Sequence, residues 1–198
     1  MTPDLSRYDP VWRAAEPYMR ARKNDVHIPL SFHWAVRLLE HFPQADRDVC
    51  LLAILLHDIG WYAIDIDRII AEGFRSANIL QSEVRYLHEV EGVRLGTEVL
   101  RATGWSEAII TQVCDIIDGH DTRPDPRHLN DRIVRDADKL WRYDVPGTAI
   151  GCDWFGETPA QNCDRNEKIL PRFETAPGRA MATAALAATR AALMTHVL

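Results

Sequence analysis

Paired cysteines are missing from this chain. Its four, Cys50, Cys114, Cys152 and Cys163, lie far apart in 198 residues and form no C-x-x-C couple. A thiolate zinc site and a redox motif are therefore not expected, and the four are read as reduced thiols in a cytosolic protein. No apolar run approaches the ~20 residues that cross a bilayer. The opening MTPDLSRYDPVW carries neither a basic region nor an apolar core of the kind that directs export. A cytoplasmic location with no membrane partner is expected. Positive charge is not in excess either: the formal net charge is -6. A global basic field for a nucleic-acid polymer is thereby excluded, while a local basic pocket for a small anion stays open. Apolar residues almost never alternate at a period of two, and no repeat, low-complexity tract or domain boundary stands out.

What the sequence does contain is apolar residues at spacings of three and four, with 46% hydrophobic content to fill a core. The pattern predicts an all-α protein forming one domain over 1–198. The segment 9–22 is read as a first helix. A second starts near Pro29 or Ser31, with Ser31 as N-cap, and a third runs from an Asp46 cap through LLAILLHD, with Gly60 as a left-handed exit. A short helix follows over IDIDRIIAEG. Ser82 opens a helix closed by Gly104, Ser106 caps the next, and Asn130 caps DRIVRDADKLWRY. Pro124 and Pro126 keep 121–130 a loop, and 144–158, with its glycines and prolines, reads as a long connection. Two helices, about 159–172 and 176–195, pack on the core region 28–144.

The stretch LLAILLHDIGWY, residues 51–62, ends its most apolar helix on His57 and Asp58. A buried carboxylate needs a strong partner, and the negative end of a helix dipole repels it, so a cation is expected there. His33, His88, His120 and one aspartate of RDADKL also fall at helix ends or on inward faces. Imidazoles plus carboxylates suit a divalent metal such as Mn, Fe, Zn, Ni, Co or Mg.

The order His33, His57-Asp58 within LLHDIG, His88, His120 and DADKL resembles the HD-domain superfamily of metal-dependent phosphohydrolases, in its small stand-alone bacterial form. The resemblance implies a helical bundle around a buried metal, with His33, His57, Asp58 and Asp138 as ligands and Asp136 as the competitor of Asp138. Local surroundings, Val134 and Trp141 around Asp138 against Arg132 and Lys139 around Asp136, favour Asp138 and leave Asp136 a solvated ion pair. His88 and His120 are similar to the extra histidines of members that hold two metals bridged by the HD aspartate, here Asp58. The cofactor implied is thus one or two divalent ions.

Such an ion lowers the pKa of bound water to about 7 in favourable cases, and the resulting hydroxide attacks a phosphoryl group. Lys139 is the first candidate to contact phosphate, followed by Arg142, Arg123 and Arg179. Asp65 and Asp67 are candidate general acid/base residues. Trp141, Tyr143, Trp154 and Phe155 are candidates for an aromatic wall. Trp61 stands where some multinuclear members carry a lysine, which points away from cyclic dinucleotides. The expected substrate is a small phosphorylated molecule, a nucleotide or related metabolite; a homodimer stays open. The same ligand pattern is similar to HD-fold di-iron oxygenases that cleave C–C or C–P bonds, and a ligand-sensing module without catalysis is the third reading.

Overall fold

The computed structural model describes residues 4–69, 72 and 82–194. All regular elements among them are helical: α1 (Asp9–Ala15), α2 (Asn24–Leu39), α3 (Arg47–Leu56), α4 (Ile66–Arg68), α5 (Glu83–Ala102), α6 (Glu107–Ile117), α7 (Leu129–Leu140), α8 (Val145–Phe155), α9 (Pro159–Ile169) and α10 (Ala176–Met194). Short 3-10 turns extend several of them. No helix among the described residues is long and apolar enough to cross a membrane.

The centre of the bundle is α3. Asp46 starts it by accepting a hydrogen bond from the Val49 amide at 3.1 Å. From Val49 to Leu56 every residue is buried, so this helix is apolar all round and must be enclosed on every side. Helices α2, α6 and α7 enclose it, and α2 also lies along α7. The C-terminal end of α3 therefore meets the interior, with α2, α6 and α7 around it and α5 against the turn that follows it.

Gly60 does not act as a left-handed exit, because its φ is not positive. The chain instead tightens into a 3-10 turn over Ile59–Ala63, which packs on α5. A Cβ on Gly60 would collide with the carbonyl oxygen of His88 and the amide nitrogen of Gly92; glycine is required by close approach. Gly60→Ala is expected to cost about 3 kcal/mol in denaturant unfolding, the upper end of ordinary overpacking, because the obstacle is backbone. At Gly96, on α5, a Cβ would come no nearer than 3.4 Å, to the Ile117 side chain, so Gly96→Ala is expected to be neutral or mildly stabilising by about 0.5–1 kcal/mol.

Several boundaries differ from the sequence expectation. Helix α2 starts at Asn24 and carries Pro29 inside it, not at its start. Its N-cap, Lys23, makes no side-chain capping bond and is left-handed (φ 58°), so the usual polar signal is absent, and Ser31 lies buried within the helix. The cap of α7 is His128, accepting from the Asp131 amide at 3.2 Å, in place of Asn130. The first segment is α1 followed by a 3-10 turn over Glu16–Tyr18. The stretch read as a connection over 144–158 contains α8: Pro146 suits its first turn, and Gly156 in the left-handed region (φ 63°) ends it. Of the helix expected after Ile64, the described part is α4; residues 70–71 and 73–81 lie outside the described residues. Residue 195, the expected end of the last helix, lies outside them too.

The C-terminal helices are tied to α7 by buried polar bonds. Asp136 accepts from the Glu174 amide (2.8 Å), the Thr175 amide (2.9 Å) and the Thr175 hydroxyl (2.7 Å). Tyr143, just beyond α7, donates its hydroxyl to the Asn166 carbonyl at 2.8 Å and accepts from the Thr189 hydroxyl at its own carbonyl, 2.7 Å.

Candidate metal centre

His57 caps its own helix. Its Nδ1 lies 2.8 Å from the Ile54 carbonyl oxygen, which can only accept, so Nδ1 carries the hydrogen and, in the neutral ring, Nε2 the lone pair. Nε2 is buried and has no hydrogen-bond partner. It faces Asp138 Oδ1 at 3.4 Å and Asp58 Oδ2 at 3.8 Å. A lone pair confronting two carboxylate oxygens is repulsive unless a proton on Nε2 or a metal cation lies among them. Asp58 itself is held by its backbone: Asn24, in the first turn of α2, donates Nδ2 to the Asp58 carbonyl at 2.9 Å.

The remaining members come from four other places. His27, on α2, places Nδ1 3.2 Å from Asp58 Oδ2 and Nε2 2.8 Å from Asp138 Oδ1. Asp138 arrives from α7. His88, on α5, directs Nε2 to Asp58 Oδ1 at 3.5 Å. His120, after α6, does so at 3.4 Å, with its Nδ1 2.9 Å from the Ile117 carbonyl oxygen, the arrangement His57 makes with Ile54. Two groups result, His27–His57–Asp58 and Asp58–His88–His120, each with ligand atoms within 4.8 Å of one another. They share Asp58, which turns one oxygen to each. The donor set fits one or two divalent ions: all the groups are buried and hard or borderline, and two of their imidazole nitrogens, His57 Nε2 and His88 Nδ1, have no hydrogen-bond partner, the first of them facing the carboxylates.

Electrostatics agree with the geometry. Burial alone would raise the Asp58 carboxyl, but His57, His120 and His27 hold it well below the ordinary range. Asp138 is likewise lowered, against burial, by Arg142, His27 and His57. His120 resists burial through its contact with Asp58 and the charge of Asp121, and is raised to about 10. For His88 burial wins, aided by His120, and its pKa falls to about 3. The centre keeps two ionised carboxylates in a closed space and so favours positive charge.

A recess of about 20 Å³ leads to it, lined by Arg22, His27, Asp58, His120, Asp138 and Arg142 among others. It shares residues with a wider cavity of about 650 Å³. Cations dominate the wider cavity, including Arg85, Lys139, Arg142, Arg165 and Arg172, and Trp154, Phe155 and Phe173 supply an aromatic side. Although the chain is negative overall, this deep acidic centre opens beneath a basic wall.

The structure brings together His57, Asp58, His88, His120 and Asp138. His33 is not with them: its side chain is exposed, beside the Trp34 ring at 5.8 Å, and its expected place is held by His27. Six residues along a helix turn the side chain through ~240°, so the two histidines face different ways. Asp136 is fully buried as the α10 anchor; the ion pair expected of it is present, with Lys139 at 3.7 Å, but its carboxylate is not solvated. Asp65 is exposed and caps α4 through the Asp67 amide (2.9 Å), and it lines neither cavity. Asp67 is exposed beside it. Lys139 lines the wide cavity, 3.7 Å from Asp136 and from Glu174. Arg142 is nearer the centre, donating to the Asp138 carbonyl at 3.0 Å and lining both spaces. Arg123 is bound to Asp131 at 3.0 Å, and Arg179 lines neither space.

Sequence reasoning missed His27 and Arg22. For His27 a signal existed: it precedes Ser31, Trp34, Ala35 and Leu38 by four, seven, eight and eleven positions, the buried stripe of α2. Arg22 and Lys23 are consecutive left-handed residues (φ 52° and 58°), a conformation costing about 1 kcal/mol each for non-glycine residues. Nothing in the local sequence announces it.

A family model described as the HD domain matches residues 27–142. No curated protein and no solved structure matches the chain.

Proposed function

The chain belongs to the HD-domain family, matched over more than half its length, and on that premise we propose that it is a metal-dependent phosphohydrolase acting on a small phosphorylated molecule, a nucleotide or a related metabolite. Metal-dependent hydrolase-type chemistry is the general property of the family. The observation that carries the finer reading is the unsatisfied Nε2 of His57, buried against two ionised carboxylates at the floor of a basic cavity.

His27, His57, Asp58 and Asp138 would hold one divalent ion, and Asp58, His88 and His120 a second. Ions held there acidify water and draw charge from a phosphoryl oxygen. The rest is done by this chain. Arg142, bridging recess and cavity, receives the phosphoryl group, and Lys139 with Arg85 offers further positive charge along the wall. Trp154 and Phe155 form an apolar side on which a flat ring can lie. A volume of about 650 Å³ is that of a small-molecule site and suits a metabolite better than a polymer.

Phosphate release from a panel of nucleotides and sugar phosphates, with Mn(II), Co(II), Ni(II), Zn(II) or Mg(II) supplied in turn, tests the reading. Turnover that needs added metal and stops with chelator is expected. Arg142→Ala is expected to raise KM for the preferred substrate about 10–100-fold, the loss of one charge-assisted contact of about 1.5–3 kcal/mol. Oxygen consumption by a protein purified with two irons, with no phosphate released from any compound, would move it to the oxygenases.

A further inference from the structure

Trp61 lies three residues after Asp58 and is only 2% exposed, and filling space would be reason enough for its presence. Its contacts are more selective than that. The indole Nε1 donates to Asp58 Oδ1 at 3.0 Å. Its ring lies against His88, with centroids 4.1 Å apart and planes inclined by 10°. The guanidinium carbon of Arg22 is 4.0 Å from the centroid of the same ring. Oδ1 is the oxygen that faces His88 and His120, whereas Oδ2 faces His27 and His57. Of these three contacts, those with Asp58 Oδ1 and His88 thus fall on one half of the centre.

We infer that Trp61 is a positioning residue for the Asp58–His88–His120 group: its N–H fixes the orientation of Asp58 Oδ1 and its face fixes the His88 ring, while the His27–His57–Asp138 side does not depend on it. The inference rests on the proposed reading in which both groups take a divalent ion. An N–H bonded to a carboxylate oxygen uses one lone-pair direction and leaves the other aimed at a cation. Partners of this kind typically set metal affinity by a factor of about 10–100. The geometry is also hard to relax, because Gly60 presses the turn carrying Trp61 onto the backbone of α5, which carries His88.

Calorimetric titration of the metal-free full-length protein with Mn(II), in wild type and Trp61→Phe, tests this. Two binding events are expected in wild type; in Trp61→Phe one weakens about tenfold and the other stays within about twofold. His88→Ala should abolish the same event that Trp61→Phe weakens. Equal weakening of both events marks a packing role and overturns the inference, as does no change in either. If wild type takes one ion only, the inference falls together with the two-ion part of the proposed function. Two ions with unchanged affinities in Trp61→Phe overturn the inference alone. Should Trp61→Phe fail to fold, β-(benzothiophen-3-yl)alanine introduced at position 61 keeps the ring shape without the N–H, and the same selective weakening is expected of it.

Discussion

Asp58→Ala is expected to remove both bound ions and all measurable phosphatase activity while the far-ultraviolet circular dichroism stays that of a helical protein. The carboxylate is shared: Oδ2 faces His27 and His57, and Oδ1 faces His88 and His120. Among the described residues no other residue belongs to both groups. Partners one shell further out already account for about 10–100-fold in affinity, so loss of the common ligand should exceed about 100-fold at each group. The helix should survive, because α3 is held by its Asp46 cap and a fully buried apolar surface that the substitution leaves intact. Metal content of the purified variant, measured by elemental analysis beside wild type, checks the result. Full occupancy in Asp58→Ala would refute the ligand assignment.

The second large effect separates two histidines on one helix. His27→Ala is expected to lose the ion of the His27–His57–Asp58–Asp138 group, with affinity falling more than about 100-fold and turnover with it. His33→Ala is expected to match wild type within about twofold, as an exposed side chain far from special features should. His27 bonds to both carboxylates, at 3.2 Å and 2.8 Å, and is 3% exposed; His33 faces solvent. Metal titration and initial rates on the pair give the answer, and a His33→Ala protein that loses metal would return the ligand role to that position.

Much of the fold could be read from periodicity. The greasy α3, the inward His88 face of α5 and the cap at Ser106 follow from apolar spacing and from polar residues at helix starts, and these are local signals. Where reading failed, the cause was non-local. Pro29 looked like a helix start because proline suits a first turn and Ser31 resembles a cap; the real beginning follows two left-handed residues, Arg22 and Lys23, that no local signal announces. That shift of five positions hid His27. Local surroundings favour Asp138, and the structure brings it to the centre; what they do not show is that Asp136 is taken up by the Glu174 and Thr175 amides, just before α10 and nearly forty residues away. Gly and Pro suggested a coil over 144–158, yet the same residues at the two ends of α8 serve as its start and stop.

The cavity wall has a consequence for how such a chain diversifies. Every member of the two histidine–aspartate groups lies within residues 27–142, the span shared with the family, whereas Trp154, Phe155, Arg165, Arg172 and Phe173 lie after it. On the proposed reading the reacting centre and its nearest cations, Arg85, Lys139 and Arg142, lie in the shared stretch, and the aromatic side of the cavity lies in a later one, joined to it through the Asp136 anchor. The later stretch can drift, or be exchanged, while the reacting centre stays as it is, and kinship in the earlier one transfers a chemistry without transferring a substrate.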